Sequence, residues 1–204
     1  MVYRIYVEKK PGFDVEAEGL KKELVSLLGV AGLTGLRLLN RYDVEGIDEA
    51  LFEQCASTVF SEPQSDTIYA ELPEDANATV FGVEFLPGQF DQRADSASEC
   101  IQLISQSERP EVRSAKIYFL EGDLTSEDVD AIKHYVINPV EAREATPEKP
   151  DTLVREHAVP PMVETLTGFT GLDEAGLTAL LEKLGLAMDL DDLKFLQAYF
   201  RDDE

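Results

Sequence analysis

The sequence has few residues of the types that usually carry chemistry. It contains two cysteines, two histidines and no tryptophan among 204 residues. Cys55 and Cys100 form no CxxC pair for zinc or redox chemistry, so two buried, reduced thiols are the favoured interpretation. His134 and His157 lack the spacing of metal ligands, which favours structural or surface roles. These shortages predict no metal site.

Positive charge and long apolar runs are also scarce. Lys and Arg number 18 against 41 Asp and Glu, which gives a net charge of −23. Such a chain repels the phosphates of nucleic acids and anionic membranes, so we expect no nucleic-acid or membrane partner. The most apolar window, Leu24–Leu36, is too short to span a bilayer, and no signal peptide follows Met1. A cytoplasmic protein is therefore predicted.

Motifs for catalysis or cofactor binding are missing as well. Gly29, Gly32 and Gly35 recur every third residue, but no Gly-Lys-Ser/Thr follows, so an apolar turn is favoured over a phosphate-binding loop. The acidic cluster Asp189–Asp192 lacks the pattern of a calcium loop, and no nucleophile-elbow sequence is found. The sequence therefore predicts no catalytic, cofactor-binding or metal-binding residue in this chain.

An internal repeat is the main feature that the sequence does have. Pro11-Gly12 recurs as Pro87-Gly88, and Phe60–Pro63 recurs as Val136–Pro139, each 76 residues later. Both Pro-Gly pairs precede a helical pattern, and both quartets end one. Because this period is too long for the usual solenoid repeats, it predicts two half-domains packed as one body.

Hydrophobic periodicity predicts the order βαβαβ in each copy. The expected class is α+β, with repeat one at 1–73 and repeat two at 80–145 forming one domain, 1–145, around a pseudo-twofold axis. The predicted strands are Val2–Glu8, Leu36–Tyr42, Thr67–Leu72, Val80–Leu86, Glu111–Leu120 and Val140–Ala145. The predicted helices begin at Asp14, at Gly46 or Asp48, at Asp91, and at Thr125 with Asp128 completing a capping box.

The amino-acid composition of the sequence changes after residue 145. Four of the ten prolines lie between 147 and 161, which predicts an extended linker over 146–171. Two short helices are expected in 172–204, namely Asp173–Leu184 and a last helix capped by Asp189 or Asp191. Two such helices form too small a core by themselves, so we expect exposed apolar faces at Leu193, Leu196 and Phe200 that either dock back on the first domain or drive association.

Four blocks of sequence carry a resemblance to a known family. They are LPGQFDQRADSASECIQL (86–103), INPVEARE (137–144), VETLTGFTGLDEAG (163–176) and LAMDLDDLKFLQAYFRDDE (186–204). In this order they resemble the N-terminal part of the large, single-chain phosphoribosylformylglycinamidine synthases. The resemblance implies a domain like a fused dimer of the family's separate small subunit, followed by the start of a linker domain.

The resemblance also implies a function for the parent enzyme in purine biosynthesis. Such a ligase converts formylglycinamide ribonucleotide to the amidine with ATP, Mg²⁺ and ammonia from glutamine. Family members continue beyond the segment that matches Phe200–Asp202, so a truncated part of a longer chain is expected. The synthetase and glutaminase domains would bind ATP and Mg²⁺ and carry the catalytic residues, none of which transfers to this chain.

Two roles are therefore open for the chain itself. The first is a non-catalytic scaffold that packs the synthetase and glutaminase domains together and helps ammonia transfer, with the chain alone inactive. The alternative is a stand-alone regulatory module that binds a small molecule between its halves. A polar set in the second copy is the predicted interdomain contact surface: Gln89, Gln92, Arg93, Asp95 and Ser96.

Overall fold

The structure is a computed structural model that describes residues 1–154 and 162–202, without the side chain of Asp202. The chain divides into two compact units, Met1–Glu156 and His157–Glu204, which we describe separately. Predictions that fall on His157, Pro160 and Pro161 lie outside the described residues. Among the helices of the described residues, none is long and apolar enough to cross a membrane.

The first unit has the predicted α+β class and a six-stranded antiparallel sheet with the order β3-β1-β2-β5-β4-β6. The elements follow one another as the hydrophobic periodicity predicted. They are β1 Val2–Lys9, α1 Val15–Ser26, β2 Leu33–Glu45, α2 Glu49–Ala56, β3 Asp66–Tyr69, β4 Ala78–Phe85, α3 Gln92–Ser105, β5 Glu111–Gly122, α4 Ser126–Val136 and β6 Ala142–Ala145.

Strand lengths differ from the prediction where pairing decides them. β2 was predicted at Leu36–Tyr42 but covers Leu33–Glu45, because β1 and β5 pair with it on both sides. β3 ends at Tyr69 and not at Leu72, because its ladder with β1 ends there. Periodicity reports which face a residue takes, whereas neighbouring strands decide how far a strand extends.

The helices of this unit cover one face of the sheet with two apolar clusters. In the first, Ile101 of α3 and Cys55 of α2 pack on Val44. In the second, Leu24 of α1 and Ile132 of α4 pack near Phe81 and Tyr118. Helical periodicity predicts an apolar stripe on each of α1, α3 and α4, but these members of the stripes are exposed: Leu27, Ile104 and Tyr135.

Three of the predicted helix starts are confirmed by their capping bonds. Asp48 accepts a hydrogen bond from the backbone of Leu51 at 2.9 Å, and the Thr125–Asp128 capping box is complete. Asp91 likewise caps α3. Asp14 precedes α1 but makes no cap, because its carboxylate accepts from the backbone of Gly12 instead. That bond stabilises the turn before the helix.

An extended segment, residues 146–154, contacts the opposite face of the sheet, and we call it the strap. Arg4 donates to the carbonyl of Pro147 and Arg41 to that of Thr146, each at 2.7 Å. Arg113 donates to the carbonyl of Leu153. Leu153 is 1% exposed, and its backbone N–H donates to Glu45 at 2.6 Å. Arginines of the sheet thus hold the chain where it leaves β6.

The second unit contains a short 3-10 helix, Phe169–Gly171, followed by α5 Glu174–Leu184 and α6 Leu190–Asp202. Leu177 and Leu193 are each 2% exposed, so the prediction of an exposed Leu193 is wrong, because α5 and α6 pack together. Gln197 donates to the carbonyls of Phe169 and Leu172. Phe200 is exposed, as predicted.

Candidate functional site

A groove of about 850 Å³ lies over the central strands, on the helical face of the sheet. We call it the central groove. Its floor includes Asn40 and Tyr42 of β2 with Lys116 and Tyr118 of β5. Its walls come from the first turns of α3 and from residues after α4, among them Gln92, Arg93, Ser96, Asn138 and Glu141. Residues of β2, β5, α3 and the segment after α4 therefore contribute to one concavity.

The first turn of α3 is tied to the floor of this groove by Asp91. The carboxylate accepts from the backbone of Ala94 at 2.9 Å, which caps the helix. It also accepts from the backbone N–H of Ser114 at 3.0 Å and from the Ser114 hydroxyl at 2.9 Å. Because Asp91 joins α3 to β5, the next residues of the helix have fixed positions beside the groove.

Arg93 is the cation at the wall of the groove. Its Nη1 donates to the hydroxyl of Tyr42 at 3.1 Å. Among the interactions of the described residues, it has no ion pair with a carboxylate, although the chain carries 41 acidic residues. Other arginines of the unit do pair with carboxylates: Arg4, Arg37, Arg41, Arg109 and Arg143.

The remaining charges around the groove are mostly neutralised by neighbours. Lys116 pairs with Glu16 of α1. Glu84 pairs with Arg143 at 2.7 Å. Burial, with a smaller effect of Glu16, raises the pKa of Tyr118 to about 12, so its phenol stays neutral. Of the two basic side chains that line the groove, Arg93 is therefore the one without a carboxylate partner among the described residues, and it can meet an anion; Glu141, which also lines the groove, has no ion pair there either.

The five predicted contact residues are divided between two surfaces. Gln92, Arg93 and Ser96 line the central groove. Gln89 and Asp95 line a neighbouring depression of about 380 Å³, and Asp95 is held there by Arg109 at 2.6 Å. The structure does not bring all five together, and their role as interdomain contacts stays a prediction.

Sequence reasoning missed the residues that the strands supply to the groove. Asn40 and Lys116 face each other directly across the β2–β5 ladder. A polar side chain in the middle of a central strand was the signal that could have found them, since such positions are usually apolar. The signal was hidden because the pairing of β2 with β5 is not visible in the sequence.

The cysteines also differ from the expectation of two buried thiols. Cys55 is buried, and burial raises the pKa of its thiol. Cys100 is exposed, because it lies on the wall of the central groove. Within residues 1–154 and 162–202, no group of three or more His, Cys, Asp or Glu could hold a metal ion.

A scan against protein-family models gave no match to the chain, and a search of curated proteins gave none. The residues and the geometry therefore carry the functional argument by themselves.

Proposed function

We propose that the chain is the N-terminal scaffold part of a large phosphoribosylformylglycinamidine synthase. In this role it packs the synthetase and glutaminase domains of a longer chain and helps ammonia pass between them. The four blocks of sequence resemblance support the family. The structural observation that carries the proposal is the spacing of the strands: β4 and β6 each begin and end 76 residues after β1 and β3, as expected for a fused dimer of small subunits.

Strand pairing supports this repeat residue by residue. Val2 pairs with Glu45, and the residues 76 positions later, Ala78 and Glu121, pair with each other. At the sheet edges Lys9 pairs with Asp66, and the residues 76 positions later, Phe85 and Ala142, again form a pair. An identical register in two places is expected of a duplicated unit, because register depends on the whole side-chain pattern.

The turns support it in the same way. Lys10 donates its backbone N–H to Ser65 at 2.8 Å, and Leu86 donates to Glu141 at 2.8 Å. Gly12 and Gly88, 76 residues apart, share a φ of 90°. Glycine takes this left-handed conformation readily, which explains why both turns contain one. The Pro-Gly echo in the sequence thus corresponds to two equal backbone turns.

The pseudo-twofold axis of such a pair would pass between β2 and β5. The strand order consists of two triplets, β3-β1-β2 and β5-β4-β6, which meet at the β2–β5 junction. Asn40 and Lys116, 76 residues apart, form a pair across this junction. A dimer of small subunits would join in this manner through one isologous strand ladder. Fusion keeps the two copies together at any protein concentration.

The strap supports a scaffold role. It is held to the sheet by Arg4, Arg41 and Arg113, so the chain leaves the first unit from a fixed place. A fixed departure point limits the freedom of the domains that follow, which favours the close packing that ammonia transfer needs. In this proposal ATP and Mg²⁺ bind those other domains.

The proposal predicts a natural reading frame that continues past Glu204 and an enzyme that needs its N-terminal part for coupling. Deleting residues 1–145 from the full-length enzyme should lower glutamine-dependent synthesis on the order of 100-fold, because ammonia is no longer delivered in place. Synthesis from added ammonium salt should fall less. Steady-state assays with both nitrogen sources measure the ratio.

Adding the separate chain 1–204 to the deleted enzyme should restore the glutamine-dependent rate. The purified chain alone should release no ammonia from glutamine and hydrolyse no ATP. A deleted enzyme that couples the two reactions normally would refute the scaffold role. A natural stop codon directly after Glu204 would refute the assignment to a larger enzyme.

A further inference from the structure

We infer that the central groove is a binding site for a small anion that carries a planar apolar body. The negative head would pair with Arg93, and the body would lie against the aromatic wall made by Phe85 and Phe90. This goes beyond the scaffold role and does not require it, because the argument uses the geometry and charge of the groove and a comparison of the first turns of α1 and α3.

The first argument is the unpaired guanidinium. Within the part of the chain that the structure describes, Arg93 donates one hydrogen bond, to the Tyr42 hydroxyl at 3.1 Å, and its other N–H groups are available. Bidentate pairing of a guanidinium with a carboxylate or phosphate is a strong, geometrically specific interaction. In a chain with a net charge of −23, an arginine without a carboxylate partner is unusual. We take it as the recognition group.

The second argument comes from the repeat. Counting from the helix-start residues Asp14 and Asp91, the position of Arg93 on α3 corresponds to Glu16 on α1. Glu16 pairs with Lys116 across the floor. Arg93 has the opposite charge at the equivalent place, and the Lys116 counterpart on its side is the neutral Asn40. In the described part of the chain, the second half of the sheet thus has the free cation of Arg93 at the position where the first half has the ion pair of Glu16 with Lys116.

The third argument is the character and size of the walls. Phe90 is 69% exposed and Phe85 is 39% exposed, and both line the groove together with Val83 and Tyr118. Exposed aromatic rings beside a cation suit a planar ligand, which gains by stacking. The volume of about 850 Å³ lies in the range of roughly 300–1,000 Å³ that small-molecule sites occupy.

The head of the ligand is a carboxylate or a phosphate, since both fit a guanidinium. Polyanions such as nucleic acids fit poorly, because the acidic surface around the groove repels an extended chain of phosphates. A single small anion avoids most of that repulsion, since salt screens charges beyond about 10 Å. The site therefore selects a compact ligand.

Titration calorimetry of chain 1–204 with four probes tests the inference. The probes are phenyl phosphate, benzoate, inorganic phosphate and acetate. We expect phenyl phosphate or benzoate to bind with a dissociation constant below about 10 mM, as for fragment-sized ligands. The two headgroups alone should bind at least about tenfold more weakly, because they lack the ring. Comparison of phenyl phosphate with benzoate tells which head the site prefers.

Two variants locate the binding. Arg93→Gln should weaken the better probe at least about tenfold by removing the charged partner, and Phe90→Ala should weaken it about threefold or more by removing the stacking ring. The control Arg109→Gln removes a cation outside the groove and should leave the affinity unchanged. Far-ultraviolet circular dichroism checks that each variant is folded.

Three results would overturn the inference. One is the absence of binding for all four probes up to about 10 mM. Another is equal affinity for phenyl phosphate and inorganic phosphate, or for benzoate and acetate. The third is binding that Arg93→Gln leaves intact. Titration of a glutamate-rich peptide that binds while the small probes do not would assign the groove to a protein partner instead.

Discussion

Replacing Asp43 with alanine should lower the free energy of unfolding of the first unit by about 3–5 kcal/mol, the cost of leaving buried charges unpaired. Asp43 accepts two hydrogen bonds from Arg4, at 2.5 and 2.9 Å. Its Oδ2 also lies 3.2 Å from Nε of Arg41. The side chains of all three residues are less than about a tenth exposed, so water cannot replace the lost carboxylate.

The two arginines depend on Asp43 to different degrees. Burial lowers the pKa of Arg41, and the neighbouring Arg4 lowers it further, although Asp43 opposes both effects. Burial also acts on Arg4, but its hydrogen bonds to Asp43 prevail and raise its pKa. The Nε of Arg41 is buried and has no hydrogen-bond partner among the described residues. Loss of Asp43 should therefore affect Arg4 most, because Arg4 loses both hydrogen bonds, whereas Arg41 keeps Glu84 at 3.5 Å.

Urea unfolding followed by circular dichroism measures the change, with Asp95→Ala as the matched control. Asp95 also pairs with an arginine, Arg109, but both side chains are more than 40% exposed, so that variant should lose no more than about 1 kcal/mol. Equal losses in the two variants would show that the cluster around Asp43 is not dry. Asp43→Asn, which keeps the shape, is measured if the alanine variant does not fold.

The same substitution has a second readout in the strap. Arg4 and Arg41 donate to strap carbonyls as well as to Asp43, so disorder of their side chains should release residues 146–154. Limited proteolysis should then cut the strap faster in Asp43→Ala than in Asp95→Ala. A strap that stays protected would mean that Arg113 and Glu45 hold it without help.

Replacing Gly122 with alanine should be nearly as damaging, with an expected loss of about 3 kcal/mol or more. Gly122 ends β5 with a φ of 132°, which side chains rarely adopt. A Cβ there would lie 2.0 Å from the carbonyl oxygen of Gly32 and 2.9 Å from the backbone nitrogen of Thr34. Both atoms belong to backbone, so the clash can be relieved only by moving β2 away from β5.

Gly46 provides a matched control, because it lies 76 residues earlier at the end of β2. Its φ is 97°, but a Cβ there would meet Pro110 no closer than 3.7 Å. Gly46→Ala should therefore cost only the backbone strain, about 1–2 kcal/mol. Thermal and urea unfolding of both variants compare the two losses. Similar losses would show that strain, and not the close approach of the strands, dominates at Gly122.

The elements of the first unit could be predicted because local patterns decide them. Alternation along Val2–Glu8 and the cap at Thr125 each depend on a few neighbouring residues. The extent of β2 depends on both of its partner strands, which are distant in the sequence. For the same reason, Gly29, Gly32 and Gly35 were assigned to one apolar turn, whereas Gly35 lies within β2. Gly32 does lie in the turn before β2, close to the backbone carbonyl of Asp123, which follows β5.

The candidate site was predicted only on its helical side. Gln92, Arg93 and Ser96 stood out because the block 84–104 has a different polar set from the similar block 8–28. Tyr42 and Lys116 did not, because nothing local shows that two central strands place them beside α3. The strap was predicted as an extended linker, but the arginines that bind it lie on three different strands. A site assembled across strands depends on topology, which one sequence reveals poorly.

The central β2–β5 ladder has a consequence for how the protein folds. Its two strands lie far apart in the sequence, so during synthesis the first half exists before its central partner. In that interval the long edge of β2 is unpaired and can recruit the same strand of another nascent chain. The β2–β5 ladder thus joins the sheet once the chain is complete but leaves the nascent chain vulnerable to swapped dimers before then. Conditions that slow the synthesis of residues 45–122, such as low temperature, should therefore increase that misassembly.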